Sequence, residues 1–277
     1  MPNYSYPDSL RDTQWLREHL NDLSVRIIEA DMNLEACKNA HIPGAVFWNI
    51  FTDLMKPDLS MNLDAKAISE LLSRSGILPG TTVVAYGSNL AIGAVIFWLL
   101  KYFGHERVYV LNGGYQKWIA EDSPLTANLS SFEPTEYKVS SRKDRDYRIS
   151  LSEVQDALNR PEVVVLDVRT SAEYSGNVFM EKPPEGDERA GYIPGAVHLE
   201  HTLALNEDGT FKSAEELHDL YGRQGITKDQ EIIPYCAVGG RSGFIWFVLK
   251  YLLGYPNVRN YDGSWNEWSR RPDLPIE

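Results

Sequence analysis

Hydrophobic and polar positions alternate along the chain in short blocks whose spacing switches between that of a strand and that of a helix. The runs Val163–Leu166 and Ile232–Tyr235 are short and apolar, and they predict buried strands. Capping boxes, each a Ser followed three residues later by a Glu, begin at Ser150 and at Ser213, before helical apolar spacings. Strands that alternate with helices predict an α/β fold in which parallel sheets are flanked by helices.

The same order of segments occurs twice. HIPGAV from His41 is matched by YIPGAV from Tyr192, and WLLKYFG from Trp98 is matched by FVLKYLLG from Phe247. From Gly76 onwards the matching residues lie 149 positions apart, and 150 after one insertion. A shared order over this length indicates a duplicated domain. The sequence therefore predicts two related domains, each a parallel sheet flanked by helices.

The polar stretches of the chain predict where the domains meet. Residues 125–147 lack sustained apolar periodicity and are rich in Ser, Thr, Lys, Arg and Asp, which is typical of a linker. We expect a first domain over residues 1–124, this linker, and a second domain over residues 148–277. The Pro- and charge-rich segment from Ser175 to Arg189 predicts a surface loop inserted in the second copy.

Composition narrows the class of protein. The chain has 277 residues and a net charge of −12, which argues against a general nucleic-acid binder because phosphate contacts need clustered Lys and Arg. The longest apolar run, Ala91–Leu100, is too short to cross a bilayer and predicts a buried core helix. The N-terminal MPNYSYPDSL has no basic segment followed by an apolar one, so we expect no targeting signal, no membrane contact and a cytoplasmic location.

The candidate chemistry lies in PYCAVGGRSGFIWF, where a buried strand ends at Cys236. Ligands bind at the carboxyl ends of the strands in an open parallel sheet. The residues Ala237–Arg241, with two glycines, turn the chain, and we expect a helix to begin near Ser242. Converging N–H groups and the helix dipole favour an anion there, and so the nucleophilic thiolate. Free cysteines are usually small buried hydrophobes, but this position favours a nucleophile.

The matching loop of the first copy lacks both reactive groups. Gly87 stands at the position of Cys236, and Ile92 stands at the position of Arg241. We therefore predict that the first domain is catalytically silent and acts as a scaffold. Cys37 has no such loop and is predicted to be inert; two cysteines in this length make no disulfide framework.

These motifs resemble the tandem rhodanese-like sulfurtransferases over nearly the whole chain. CAVGGRS is similar to the Cys-x4-Arg-Ser loop of many rhodaneses, and HIPGA and YIPGA are similar to a motif found in each rhodanese repeat. YDGSWNEW is similar to the C-terminal segment of bacterial thiosulfate sulfurtransferases. The resemblance implies that the Cys236 thiolate takes sulfane sulfur from a small anionic donor such as thiosulfate. The resulting persulfide passes the sulfur to a thiophile such as cyanide, without a metal or an organic cofactor. The residues expected to bind substrate are Arg241, Ala237, Val238, Gly239, Gly240 and Ser242.

Three positions bear on the choice of donor. Relatives that prefer 3-mercaptopyruvate often carry a CGSGVT-type loop and upstream arginines, whereas this chain has Val238 in the loop and Glu173 and Glu185 roughly where the arginines fall. Two carboxylates repel a 2-oxo acid, so thiosulfate is favoured and 3-mercaptopyruvate is the alternative. Arg241 is expected to contact the donor's sulfonate oxygens in preference to only bracing the loop.

Two other classes stay open. Cysteine phosphatases also use a Cys–loop–Arg cradle, but with five residues between Cys and Arg, whereas this chain has four, and commonly with His where this chain has Tyr235. A non-enzymatic sulfur carrier, or a module that feeds a protein acceptor, is the other alternative.

A few residues are candidates for supporting roles. Asp167, in DVR after a strand, is expected beside the active loop, and an ion pair or a helix cap is favoured over a chemical role. Arg189 either faces the site entrance or is a solvated surface residue. His41 and Tyr192 begin the IPGA motifs, and His41 is expected to be structural. The tryptophans expected in the core are Trp118, Trp265 and Trp268.

Overall fold

Two parallel β-sheets, one in each half of the chain, organise the fold. The structure is a computed structural model that describes residues 3–139, 142, 144–180 and 182–277. Parts of the predicted N-terminus (residues 1 and 2), linker (140, 141 and 143) and insert (181) lie outside the described residues. The strands are β1 (Leu10–Arg11), β2 (Val25–Asp31), β3 (Ala45–Asn49), β4 (Thr82–Gly87), β5 (Val108–Leu111), β6 (Val163–Asp167), β7 (Val197–His198) and β8 (Glu231–Tyr235).

Helices connect these strands and cover the sheets. The α-helices are α1 (Thr13–Glu18), α2 (Leu34–Asn39), α3 (Ala65–Arg74), α4 (Leu90–Tyr102), α5 (Gly114–Ala120), α6 (Asp144–Tyr147), α7 (Leu151–Ala157), α8 (Ser171–Tyr174), α9 (Ala214–Gly222), α10 (Gly240–Phe247) and α11 (Ser264–Ser269). Short 3-10 turns span Pro7–Ser9 and His201–Ala204, and π turns span Ile50–Leu54 and Val248–Leu252.

The two sheets share one strand order. The first sheet runs β1-β5-β4-β2-β3 with every neighbouring pair parallel. The second runs β7-β6-β8, and parallel bridges from Ile232 to Val258 and from Arg148 to Asn260 extend it by two positions. Starting from β3 in the first sheet and from β7 in the second, corresponding strands follow one another in the same order. The α/β fold class and the duplication predicted from the sequence are therefore confirmed.

Most local predictions from the sequence hold. Both capping boxes form, at Ser150 and at Ser213. The long apolar run is α4, buried at every residue except Ala91, and none of the described helices has the length and apolarity to span a membrane. Helix α10 begins at Gly240, two residues earlier than expected, because Gly239 adopts φ +91° and turns the chain directly into the helix.

The two halves meet where α4 packs against α10. A Cβ built on Gly243 would lie 3.1 Å from Cγ2 of Val95, so a glycine at this crossing lets the helices approach closely. The rings of Phe97 and Phe247 meet edge to face at 4.8 Å, and one apolar cluster contains core residues of both halves. Because α4 follows β4 and α10 follows β8, this packing brings the two matching loops to one side of the molecule.

The predicted linker lies along the first half. The N–H of Thr135 donates to the Ser73 carbonyl at 2.9 Å, and the N–H of Tyr137 donates to Ser73 Oγ at 3.0 Å. The Tyr137 hydroxyl also lies 3.0 Å from Nδ1 of the buried His105. Side-chain and backbone bonds to α3 thus hold this polar segment in an extended path. The division into residues 1–124 and 148–277 stays a prediction.

Candidate active site

Cys236 is the first residue after β8 and one of the most buried residues of the chain. It is 1% exposed, yet it lines a cavity of about 250 Å³ between the two halves. The N–H of Gly239 donates to Cys236 Sγ at 3.2 Å. A donor held at this place stabilises negative charge on the sulfur. The loop therefore places a nearly buried cysteine at a partly open cavity between the two halves.

Gly239 has a conformation and a neighbour that require glycine. Its φ is +91°, and a Cβ there would lie 2.6 Å from the carbonyl oxygen of Asp262. Any side chain at this position would push the loop away from the segment behind it. The glycine therefore fixes the direction in which its N–H points toward the sulfur.

Ser264 is a site residue that sequence reasoning missed. Its Oγ accepts a hydrogen bond from the Cys236 N–H at 3.0 Å, donates to the Tyr261 carbonyl at 2.8 Å, and lies 3.9 Å from Cys236 Sγ. It is fully buried and has a left-handed φ of +53°, which is uncommon outside glycine. The next residue, Trp265, donates its N–H to the Cys236 carbonyl at 2.9 Å. The start of α11 therefore fixes the backbone of Cys236, through a contact 28 residues away in sequence.

Arg241, which lines the cavity, forms an ion pair with the buried Glu173. Nη1 and Nη2 of Arg241 each lie 2.7 Å from one carboxylate oxygen of Glu173. Burial by itself raises the pKa of Glu173, but the hydrogen bonds and charge of Arg241, followed by the bonds from Thr170, hold it at about 2. Burial likewise lowers the pKa of Arg241, but Glu173 and the neighbouring Cys236 raise it well above its usual range.

This ion pair corrects the sequence argument about the donor. Glu173 was expected to repel a 2-oxo acid as a free carboxylate, but Arg241 neutralises it, and Glu173 is only 3% exposed. Glu185 was expected to add a second carboxylate to the site. It is instead exposed in the insert, with its carboxylate 3.3 Å from Nζ of Lys182, and it does not line the cavity. Glu185 lies within the inserted segment, which has no counterpart in the first copy to fix its position.

Arg189 is not at the entrance of the cavity. Its Nη1 donates to the Arg271 carbonyl at 2.5 Å, and its Nη2 donates to the Leu274 carbonyl at 2.7 Å. These bonds attach the insert to the C-terminal segment. Arg189 therefore does not line the cavity; it lies partly exposed at the surface with its guanidinium bonded to two backbone carbonyls.

Asp167 belongs to a buried network directly behind the active loop. Its carboxylate pairs with Arg169, with a closest contact of 2.6 Å, and accepts the hydroxyl of Tyr235 at 2.5 Å. Arg169 also donates to the Gly191 carbonyl at 2.7 Å and lies 4.6 Å from the centre of the Trp265 ring. Asp167 does not line the cavity. Asp167 thus forms a structural ion pair with Arg169, and its hydrogen bond from Tyr235 joins the end of β6 to the residue before Cys236.

The remaining loop residues divide into two groups. Val238 and Gly240 line the cavity together with Cys236 and Arg241. Ala237 and Ser242 do not: the Ala237 carbonyl accepts the Asn266 N–H at 2.9 Å, and Ser242 is fully buried in α10. Ser242 Oγ has no hydrogen-bond partner within the described part of the chain.

The opposite wall of the cavity comes from the first half and is apolar apart from Asn89. It includes Met32, Met55 and Met61, and one face of α4 that carries Ile92 and Val95. Met32 and Phe51 stand at its edge and are 56% and 49% exposed. Sequence reasoning did not place these residues at the site, because only the packing of α4 on α10 brings them there.

The first copy has no space for a cysteine at the matching position. A Cβ on Gly87 would lie 2.5 Å from Cγ2 of Ile92 and 2.6 Å from the Ala30 carbonyl oxygen. The side chain that replaces the arginine thus fills the place of the thiol. Cys37 is buried, and burial together with Glu29 raises its pKa to about 12, so it stays a thiol. His41 Nδ1 lies 2.7 Å from the Cys37 carbonyl in this buried region.

Comparison with known proteins identifies the family of this site. The chain is 43% identical to "Sulfur carrier protein TtuD" of Thermus thermophilus over 99% of this chain and 98% of that protein. It is 38% identical to a "Putative thiosulfate sulfurtransferase" of Haloferax volcanii over 100% and 99%. An anaerobic ergothioneine biosynthesis enzyme from Chlorobium limicola, solved with trimethyl histidine, superposes with a TM-score of 0.89 at 25% identity, over 100% of this chain and 72% of that one. The model of the Rhodanese-like domain matches residues 12–121 and again 150–271, so the chain belongs to the rhodanese family of sulfurtransferases.

Proposed function

We propose that the protein is a thiosulfate sulfurtransferase in which Cys236 carries the transferred sulfur. The Cys236 thiolate attacks the sulfane sulfur of thiosulfate, a new S–S bond forms, and sulfite leaves with the electron pair of the broken S–S bond. Cyanide, or another thiophile, then attacks the outer sulfur and releases the thiolate. The sulfur transfer is thereby divided into two displacements with no external oxidant or reductant.

The observation that carries this proposal is the setting of Cys236 Sγ. The sulfur receives the Gly239 N–H at 3.2 Å and faces a cavity of about 250 Å³, which leaves room for a second sulfur atom. Arg241 lies beside it in the same wall. The relatives named for thiosulfate and for sulfur carriage support the same chemistry.

Intact mass after incubation with thiosulfate tests the proposal. We expect a gain of one sulfur atom, about 32 Da, on Cys236 alone, because the thiolate in an electropositive loop is the reactive form. Cys236→Ser should show no adduct and almost no thiocyanate production, whereas Cys37→Ser should behave like the unmodified protein. An adduct on Cys37, or two adducts per chain, would refute both the site and the silent role of the first domain.

A sulfur carrier is the second candidate, favoured by the 43% identical relative that bears this name. A carrier forms the same persulfide but hands its sulfur mainly to a protein. Cyanide takes sulfur from any accessible persulfide, so the rate separates the two candidates: the enzyme should form thiocyanate much faster than a free thiol persulfide does, and a carrier should not. A phosphatase is disfavoured, because four residues separate Cys236 from Arg241 where phosphatase loops have five.

A further inference from the structure

A second cavity, of about 620 Å³, opens between the two halves. The first half contributes the turn between Met55 and Met61, and the second half contributes the segment from Asp262 to Arg271. The residues that line this cavity are mostly polar, unlike the apolar wall that faces Cys236. Small-ligand pockets span about 300–1,000 Å³, so the space is large enough for a small molecule.

Basic side chains outnumber acidic ones in the wall of the second cavity. Among the described residues, the wall has five basic and three acidic side chains. The basic ones are Lys56, Arg142, Arg148, Arg270 and Arg271, and the acidic ones are Asp58, Asp262 and Glu267. The excess of positive charge is local, because the whole chain carries a net charge of −12. The second cavity is therefore a place where this acidic protein attracts an anion.

Three of the basic side chains have no carboxylate partner. Lys56, Arg142 and Arg270 are exposed, and none of them forms an ion pair within the part of the chain that the structure describes. Arg270 donates Nη1 to the Asp58 carbonyl at 3.1 Å, which places its guanidinium against the first half. The other two basic side chains of the wall each lie within 3.0 Å of an aspartate. The three unpaired cations are therefore available to a ligand.

The second cavity also touches the segment that supports the Cys236 loop. Asp262 lines it, and a Cβ on Gly239 would lie 2.6 Å from the carbonyl oxygen of Asp262. Two residues later, Ser264 Oγ accepts the N–H of Cys236 at 3.0 Å. A ligand in the second cavity would therefore contact both halves and the segment directly behind the active loop.

We propose that the second cavity binds a small anion with two or more phosphate groups, held by Lys56, Arg142 and Arg270. Guanidinium groups bond phosphate oxygens in pairs, and four of the five basic side chains in the wall are arginines. Each further phosphate gives the ligand contact with another of these separate cations. The inference goes beyond the proposed sulfur transfer and does not depend on it, because none of the three residues lines the Cys236 cavity.

Titration calorimetry with inorganic probes tests the inference. Phosphate, pyrophosphate and tripolyphosphate are titrated into the full chain at one ionic strength, with EDTA present. We expect the affinity to rise at least about threefold with each added phosphate, as further ionic contacts form, and to weaken as salt is added. Tripolyphosphate should also raise the melting temperature, because a ligand that binds only the folded protein stabilises it. A tetraglutamate peptide serves as an anion of similar charge without phosphate.

Two matched double variants locate the bound anion. Lys56→Gln with Arg270→Gln removes two cations of the second cavity, and Arg223→Gln with Lys228→Gln removes the same charge at exposed positions that line neither cavity. The Kd for tripolyphosphate should rise at least about fivefold in the first variant and less than about twofold in the second, as expected for direct against distant charges. Lys56→Gln alone changes only an exposed side chain, so it keeps the test open if the double variant is unstable.

The outcomes separate this inference from the proposed function. Equal weakening in both double variants overturns the inference, because the attraction is then that of the whole surface. Equal affinity for phosphate and tripolyphosphate, or tighter binding of the peptide, also overturns it. Failure of Cys236 to gain sulfur, with tripolyphosphate binding intact, refutes only the proposed sulfur transfer.

Discussion

Arg241 at the start of α10 and Glu173 in α8 form a bidentate ion pair, with both N–O distances at 2.7 Å. The two residues are 68 positions apart in sequence; Arg241 lines the cavity that contains the Cys236 sulfur, and Glu173 is buried beside Arg241 without lining the cavity. Thr170 donates its N–H and its hydroxyl to the same carboxylate, at 3.0 and 2.9 Å. The planar fork that a donor's sulfonate was expected to use is thus engaged by the protein itself, which favours bracing of the loop as the main role of Arg241.

Replacing Arg241 by Lys tests this role. Lys keeps the charge but loses the second hydrogen bond, so we expect a loss of about 1–3 kcal/mol in stability and a melting temperature lower by several degrees. Persulfide formation and transfer to cyanide should both slow, by roughly tenfold, because both depend on the loop geometry. Thermal unfolding and stopped flow across thiosulfate concentrations measure the two effects. An unchanged melting temperature with a raised KM for thiosulfate would instead assign Arg241 to donor binding.

Glu173 gives the protein a defined dependence on pH. Its pKa is lowered from 4.5 to about 2 in the folded protein, so its ionised form contributes stability that is fully present above pH 4.5 and is lost as the pH falls toward 2. Glu173→Gln lacks this contribution. The difference in free energy of unfolding between the two proteins should be constant near neutral pH and should shrink between about pH 4.5 and 2. Urea unfolding at a series of pH values measures it, with Glu185→Gln in the exposed insert as the control. A gap that does not change with pH would contradict the pairing.

The expected preference for thiosulfate can no longer rest on repulsion by two free carboxylates, because Glu173 is paired with Arg241 and Glu185 is outside the cavity. We expect kcat/KM to be higher with thiosulfate than with 3-mercaptopyruvate at equal acceptor, since the chain lacks the CGSGVT-type loop and the upstream arginines of relatives that prefer 3-mercaptopyruvate. In Glu173→Gln the charge of Arg241 is freed, and KM for thiosulfate should fall about threefold at low ionic strength and less at high salt. The reverse ranking of donors would contradict the substrate argument while leaving persulfide chemistry intact.

Local patterns were sufficient to predict what depends on local sequence. The capping box at Ser150, the buried helix from Ala91 and the Cys236 loop were all foreseen, because each depends on residues within a few positions. Contacts between distant segments were not. Ser264 lies in a segment that was interpreted only from its family resemblance, its repeat and its core tryptophans, and its bond to Cys236 exists because α11 begins next to the loop. Met32 reaches the cavity only because the two halves pack against each other. The spacing of the sequence repeats does not specify how the halves pack.

Ser264 offers a test of backbone positioning. Ser264→Ala leaves the buried N–H of Cys236 without its acceptor, which costs about 1–3 kcal/mol, and keeps a Cβ at a positive φ. Ser264→Gly loses the same bond but relieves the backbone, so it should be more stable than Ser264→Ala by roughly 0.5–1 kcal/mol. Both should slow persulfide formation by roughly tenfold or more, since small displacements of a reacting atom are costly. Wild-type rates in Ser264→Ala would remove Ser264 from the site.

The duplicated halves provide a matched pair of buried carboxylates. Asp167 pairs in register with Tyr235, and Glu29 pairs in register with Tyr86, and each carboxylate accepts the hydroxyl of its tyrosine. Asp167 also forms an ion pair with Arg169. Among the residues that the structure describes, no Lys or Arg forms an ion pair with Glu29. Accordingly, burial raises the pKa of Glu29 above its usual range.

The two carboxylates should therefore respond differently to the same neutral replacement. Asp167→Asn leaves the guanidinium of Arg169, 1% exposed, without its counter-charge, and removing one partner of a buried pair costs about 3–5 kcal/mol. Glu29→Gln removes no ion pair and keeps an acceptor for Tyr86, so its cost should be about 1 kcal/mol or less. Urea unfolding at pH 7 compares the two variants, and persulfide formation shows whether loss of the Asp167 network also displaces Cys236. Equal destabilisation of both variants would show that the ion pair behind the active loop adds nothing beyond the tyrosine hydrogen bond that the two halves share.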